Sequence, residues 1–323
     1  MTGVTRHDIL NLGAGVQSTA LYLMFLRGQI TPQIECAIFA DTQDEPGAEQ
    51  RRLGMPDPEG SVYAHLDWLM SLNGPPILVR TIGQLSADLM RGENSTKQRF
   101  ASIPVFTQSP TASTGQARRQ CSAEYKINVI NQAIRREICG AERGRSIGRE
   151  HEVIQYIGIS ADEASRAVRV MRNAVPVSAR ARAARWNYQD LLAFFASRNW
   201  RFCFPLVDHG VSRADCVKYL SGIVPHVTPR SACTFCPYHD DAEWNRLKQD
   251  DPIGFGRAVD VDAALRQPGV IVNRNMDQPM YLHRSCVPLD QVVFRQQARP
   301  DPTAQFQLFR SKFADECLGV CGV

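Results

Sequence analysis

The sequence predicts an α/β chain: an open, doubly wound, mostly parallel sheet followed by a mainly helical, cysteine-containing C-terminal extension. Three observations predict it. Short apolar runs of strand length alternate with longer stretches of helical spacing. Two of these runs end in an acid or in an acid-bearing turn, and the first ends in a glycine-rich turn that opens a helix. The second half of the 323 residues carries a Cys-x-x-Cys pair with further cysteines around it. The expected division is a nucleotide-binding α/β domain over 1–170 and a cysteine-rich region over 171–323, which contributes the metal site and the substrate side.

The first unit is Ile9-Leu10-Asn11-Leu12, then Gly13-Ala14-Gly15-Val16-Gln17-Ser18-Thr19, then Ala20 to Leu26. It reads as strand, turn and buried helix. Glycines let a backbone approach an anion, and the amides opening a helix have no internal acceptor. The Ser18 and Thr19 hydroxyls are placed to join them. An ordinary tight turn between strand and helix fits the same residues, and neither a Walker loop nor a dinucleotide fingerprint fits the glycine spacing.

Ile34–Ala40 reads as the second strand, delivering Asp41-Thr42 to the edge where open α/β sheets present ligand-facing groups. Residues 47–61 read as a loop, Val62–Leu72 as a helix, Pro75–Arg80 as the third strand, and Arg91–Gln120 as a long polar loop. A helix follows from Cys121 through Ile127, Ile130 and Ile134, with Arg118, Arg119 and Lys126 beside the thiol. Val153–Ile159 is the fourth strand. Ser160 with Glu163 after it fits a capping box. Six arginines between Arg166 and Arg185 make either a solvated face or an anion-binding strip. Ser212 caps a helix carrying Cys216, a second helix begins at Asp241, and residues 279–289 pack as strand or loop.

The net charge of +4 is too mild to call for nucleic acid, and no apolar run reaches membrane length. With no cleavable leader at the start, the expected location is the cytoplasm. Ten cysteines in such a compartment mean buried, metal-binding or reactive thiols rather than a disulfide framework. Cys233-Thr234-Phe235-Cys236-Pro237 can turn two sulfurs toward one centre, and Cys121 and Cys216 bring the tally to four thiolates. A closed zinc site, a four-iron cluster and a redox dithiol all remain open at this point. At the end, Cys317 and Cys321 sit on a tail able to carry a nucleophile, a second metal site or nothing.

The first turn resembles the pyrophosphate loop of the PP-loop ATPases and of the sulfonucleotide reductases, usually S-G-G-x-D-S, without its first serine and its aspartate. Taken with Asp41-Thr42, the Cys121 helix, Gly158 to Arg166 and the Cys216/Cys233/Cys236 segment, most of the chain resembles the phosphoadenosine phosphosulfate reductase-like branch of that superfamily (adenine nucleotide alpha hydrolase-like), near the iron–sulfur thiolation enzymes. The resemblance implies a HUP-type sheet. It implies ATP on Gly13, Ala14, Gly15, Gln17, Ser18 and Thr19, and contacts to ribose or Mg²⁺ from the catalytic Asp41 and Thr42. Further nucleotide contacts would come from Gly158, Ser160, Asp162 and Arg166. It also implies a [4Fe-4S] cluster, with Zn²⁺ as the alternative, on Cys121, Cys216, Cys233 and Cys236, and a reactive Cys317.

The leading functional expectation is ATP-dependent sulfur transfer to a nucleobase-like acceptor, free or in a nucleotide or tRNA, using a thiol sulfur donor or reductant, by a homodimer. A sulfonucleotide reductase and a zinc-stabilised, non-catalytic nucleotide- or nucleic-acid-binding module are the alternatives.

Overall fold

The computed structural model describes residues 3–94, 96–97, 103–108, 114–267 and 278–295. Five strands build the main sheet: β1 (Thr5–Asn11), β2 (Cys36–Ala40), β3 (Ile77–Arg80), β6 (His151–Ile157) and β7 (Trp200–Cys203), in the order β3-β2-β1-β6-β7, all parallel. A second sheet joins β4 (Phe106–Gln108), β5 (Thr114–Gln116) and β8 (Met280–Tyr281) in antiparallel order β5-β4-β8.

Alternation along the central strands explains why both faces are covered. Leu10, Ala37, Phe39, Ile154 and Tyr156 point to one side, where the helices Val16–Leu26, Val62–Ser71 and Arg213–Ser221 bury their apolar residues. Ile9, Ile38 and Val153 point to the other, against the helical run 121–138 through Val129, Ile130, Ala133 and Ile134. The sheet is therefore wound on both sides, as expected. Strand order reverses at β1, which puts the switch point of the fold between the carboxyl ends of β1 and β6.

The expected boundary at residue 170 cuts through this sheet. Strand β7 pairs with β6 from Val153↔Trp200 to Tyr156↔Cys203, and the Arg213–Ser221 helix packs on the first helix. A different set of contacts forms the second core. Leu85, Leu89, Ile103 and Tyr125 join Phe235, Trp244, Phe255, Val261 and Leu282 around the helices Asp241–Asp250 and Pro252–Ala264. First-half and last-quarter residues thus share one core. Within the expected polar loop 91–120, the described residues include the antiparallel pair β4 and β5. No helix among the described residues is long and apolar enough to cross a membrane.

Candidate functional site

The loop leaving β2 carries the first half of the site. Asp41 Oδ1 accepts from the Tyr63 hydroxyl and from the Gln43 amide, both at 2.7 Å, which fixes the carboxylate at the strand end. Asp44 is buried and accepts from the Ser86 amide and hydroxyl, each at 2.7 Å, and from Gln84 at 3.0 Å. Glu45 has no exposed surface. Its carboxylate takes Lys126 Nζ at 2.5 Å and the Ser231 hydroxyl at 3.1 Å. Burial pushes the Glu45 carboxyl up, and the Lys126 ammonium opposes that shift.

The Cys-x-x-Cys knuckle docks directly on this loop. The Thr234 amide donates to the Asp44 carbonyl at 2.8 Å, the Cys236 amide closes the knuckle onto the Cys233 carbonyl at 3.0 Å, and a His239 ring nitrogen lies 2.9 Å from that carbonyl. The Thr42 hydroxyl lies 3.3 Å from Cys233 Sγ. Thr42 thus links the strand-end loop to the knuckle. Cys121 arrives at the first turn of the helical run 121–138, whose opening residues Ala123–Ile127 form a π-helical turn. The result is one small, partly open pocket whose wall includes Cys121, Cys233 and Cys236 together with Arg119, Lys126 and Thr42. Loss of water pushes the Cys233 thiol well above its usual range, and Lys126 pulls the other way.

The fourth expected ligand lies elsewhere. Cys216 has no exposed surface and sits in the apolar cluster between the first helix and its own, with Leu220 one turn on. Its helix is capped as expected, with Ser212 and Asp215 forming a capping box. Cys216 and Leu220 share the apolar face of that helix, and that i, i+4 pairing is the sequence signal for a packing role. Cys317 and Cys321 lie outside the described residues.

The glycine turn is organised by its own side chains. Ser18 Oγ accepts from the Gly13 amide at 3.1 Å and donates to the Gly15 carbonyl at 3.2 Å, so it staples the turn. Thr19 is fully buried, with its hydroxyl 2.9 Å from His65 Nε2. Both hydroxyls are thus engaged by protein partners. Ala14 takes φ 55, a left-handed conformation where glycine is the usual choice. Gly13 and Ala14 are buried, while Gly15, Val16 and Gln17 keep partial exposure. A Cβ on Gly15 would stand 3.6 Å from Ser231, because the Pro229–Ser231 segment passes over it.

Across the switch point, the expected nucleotide contacts bind one another. Gln17 Nε2 donates to Ser160 Oγ at 2.9 Å and to Glu163 at 2.7 Å, and Arg213 donates to Gln17 Oε1 at 3.2 Å. Arg166 pairs with Glu163, and Asp162 accepts from the Arg213 amide at 2.9 Å. Ser160 makes no capping bond; its hydroxyl serves Gln17 instead. Gly158 has a packing reason: a Cβ there would meet the backbone of Ser18 at 2.8 Å. Of the arginine run, Arg180, Arg182 and Arg185 are exposed, and Arg182 lies over the Trp186 ring.

Two groups escaped the sequence reading. Glu45 follows two other acids in a turn and carries no local sign that Lys126 would neutralise it. His7, Cys139 and His151 come from three separate elements, yet their ligand atoms all lie within 4.8 Å of one another. Comparison with protein-family models, curated proteins and solved structures finds no match for the chain.

Proposed function

We propose that the chain is an ATP-dependent sulfur-transfer enzyme with an iron–sulfur cluster on Cys121, Cys233 and Cys236. One observation carries the reading: thiols more than 110 residues apart line a single cavity at the carboxyl edge of the sheet, beside Arg119 and Lys126. The donor set suits such a group. Three soft thiolates collect negative charge, and the neighbouring guanidinium and ammonium offset it. Tetrahedral Zn–S bonds of about 2.3 Å would hold sulfurs about 3.8 Å apart.

With Cys216 in the apolar core, three protein ligands remain, and the cluster when bound supplies an iron able to hold a sulfide. The rest falls to the chain and its substrates. Free amides at the start of the Val16–Leu26 helix and the partly exposed Gly15–Gln17 backbone would hold the ATP phosphates. Asp41, held by Tyr63 and Gln43 through one oxygen, keeps its other oxygen for the ribose or Mg²⁺. A nucleobase carbonyl oxygen attacks the α-phosphorus and pyrophosphate leaves. A sulfur nucleophile then adds to the activated carbon, and AMP departs with the oxygen. Positive charge from Arg119 and Lys126 stabilises the anionic groups.

Anaerobic purification with iron, sulfide and zinc analysis tests the cluster. Iron and sulfide are expected in the native chain and in Cys216→Ala, and are expected to be lost in Cys121→Ala, Cys233→Ala and Cys236→Ala. Stoichiometric zinc without iron would end the proposal. ATP–pyrophosphate exchange stimulated by a nucleobase or tRNA acceptor tests the activation step. Thiol-dependent sulfite release without exchange would point to the reductase, with Cys317 as its nucleophile.

A further inference from the structure

We infer that His7, Cys139 and His151 form a second metal site, at the opposite edge of the sheet, for a borderline divalent ion of the zinc class. The parallel pairing of β1 and β6 creates it. His7 lies opposite Val153 and His151 opposite Thr5, so the two histidines are two positions apart in register and share a face. That face is the one against which the helical run 121–138 packs, and Cys139 is the residue that ends this run. The three ligand atoms lie within 4.8 Å of one another, with His7 and Cys139 buried and His151 half-buried.

What stands behind the histidines argues for a metal rather than chance proximity. The Glu35 carboxylate lies 2.7 Å from His7 Nδ1 and therefore fixes the proton there, leaving the Nε2 lone pair directed inward. That Nε2 lies 3.0 Å from His151 Nδ1, a hydrogen bond in the metal-free chain, and the pair need open by only about 0.3 Å to reach the separation of two imidazoles on one tetrahedral ion. Glu150 stands 3.9 Å from the far nitrogen of His151. A carboxylate hydrogen-bonded behind a ligating imidazole, as Glu35 stands behind His7, is the arrangement that orients metal-bound histidines. Two neutral imidazoles and one thiolate suit zinc, which would leave a fourth position for water on the His151 side. On binding, the Cys139 S–H bond breaks, a Zn–S bond forms and the proton leaves to solvent. The thiols of the carboxyl-edge cavity belong to other residues, so this site stands or falls independently of the proposed activity.

The test uses the full chain. Zn²⁺ at one equivalent is expected to give an X-ray absorption shell of one sulfur near ~2.3 Å and two imidazole nitrogens near ~2.0–2.1 Å. Co²⁺ is expected to give a thiolate charge-transfer band whose intensity falls by one equivalent in Cys139→Ser and in His151→Gln, with affinity at least about 100-fold weaker. Glu35→Gln is expected to weaken it about 10–100-fold without abolishing it. Circular dichroism establishes that each variant is folded. Should Cys139→Ser fail to fold, the Zn²⁺ shell of the native chain decides. An all-sulfur shell, a shell without sulfur, or unchanged Co²⁺ binding in folded His151→Gln would overturn the inference.

Discussion

Lys126 and Glu45 sit 2.5 Å apart with almost no exposed side-chain surface, directly behind the cysteine cavity. Taking two charges out of water is costly, and their contact and the Ser231 hydroxyl help to offset the cost. Removing one partner strands the other. Lys126→Met is therefore expected to destabilise the chain by about 3–5 kcal/mol in urea unfolding. The double variant Lys126→Met/Glu45→Gln should recover much of that loss; equal stability of both variants would contradict the coupling. The thiols teach a parallel lesson. Cys233 and Cys236 were legible because three-residue spacing is local geometry. Cys121 was legible through its basic neighbours. Cys216 packs in the apolar core beside Leu220, a placement that a count of thiols, silent about direction, does not reveal.

At the scale of elements, the first turn is held by close backbone contact as much as by side chains. A methyl group on Gly158 would stand 2.8 Å from both the Ser18 amide nitrogen and Cα, and backbone cannot swing aside. Gly158→Ala is expected to cost about 1–3 kcal/mol, read by urea unfolding, and to displace the start of the Val16–Leu26 helix. Ser212→Ala removes a side-chain cap and should cost about 1 kcal/mol. Ser160→Ala, which removes no cap, should leave its own helical turn formed. Strands β1, β2 and β6 could be read from their apolar runs because both faces of each are largely buried, and edge strand β3 from its Ile-Leu-Val run. Strand β7 is four half-buried residues at the sheet edge, and β4, β5 and β8 have two or three residues each, too short for any periodicity.

For the whole molecule, the buried histidines set an acid limit. His65 has no exposed surface, with Thr19 at one nitrogen and His226 2.8 Å from the other. Burial, and then His226, pushes its pKa down to about 3. His226 is also lowered by burial. A depressed folded-state value means that the unfolded chain binds the extra proton first. The His65 contribution is thus complete above about pH 6.5 and is lost progressively as pH falls toward about 3. At about 1.4 kcal/mol per unit, the limit is on the order of 4–5 kcal/mol. Urea midpoints between pH 7.5 and about 4 should fall in the native chain and fall less steeply in a folded His65→Gln variant; parallel curves would contradict this assignment.

Local order was written in the chain: the hydrophobic runs, the cap at Ser212, the turn after β1 and the knuckle at 233–236 all depend on residues a few positions apart. The meeting of Thr42 with Cys233 across 191 positions, and of His7 with His151 across 144, depends on strand order, register and helix facing. Such contacts leave no short-range pattern, because packing free energy is shared over the whole core rather than stored in any one segment. The same reason explains the hydroxyls of Ser18 and Thr19. Their position at a helix start was plain, but their partners were chosen by the neighbouring turn and by His65.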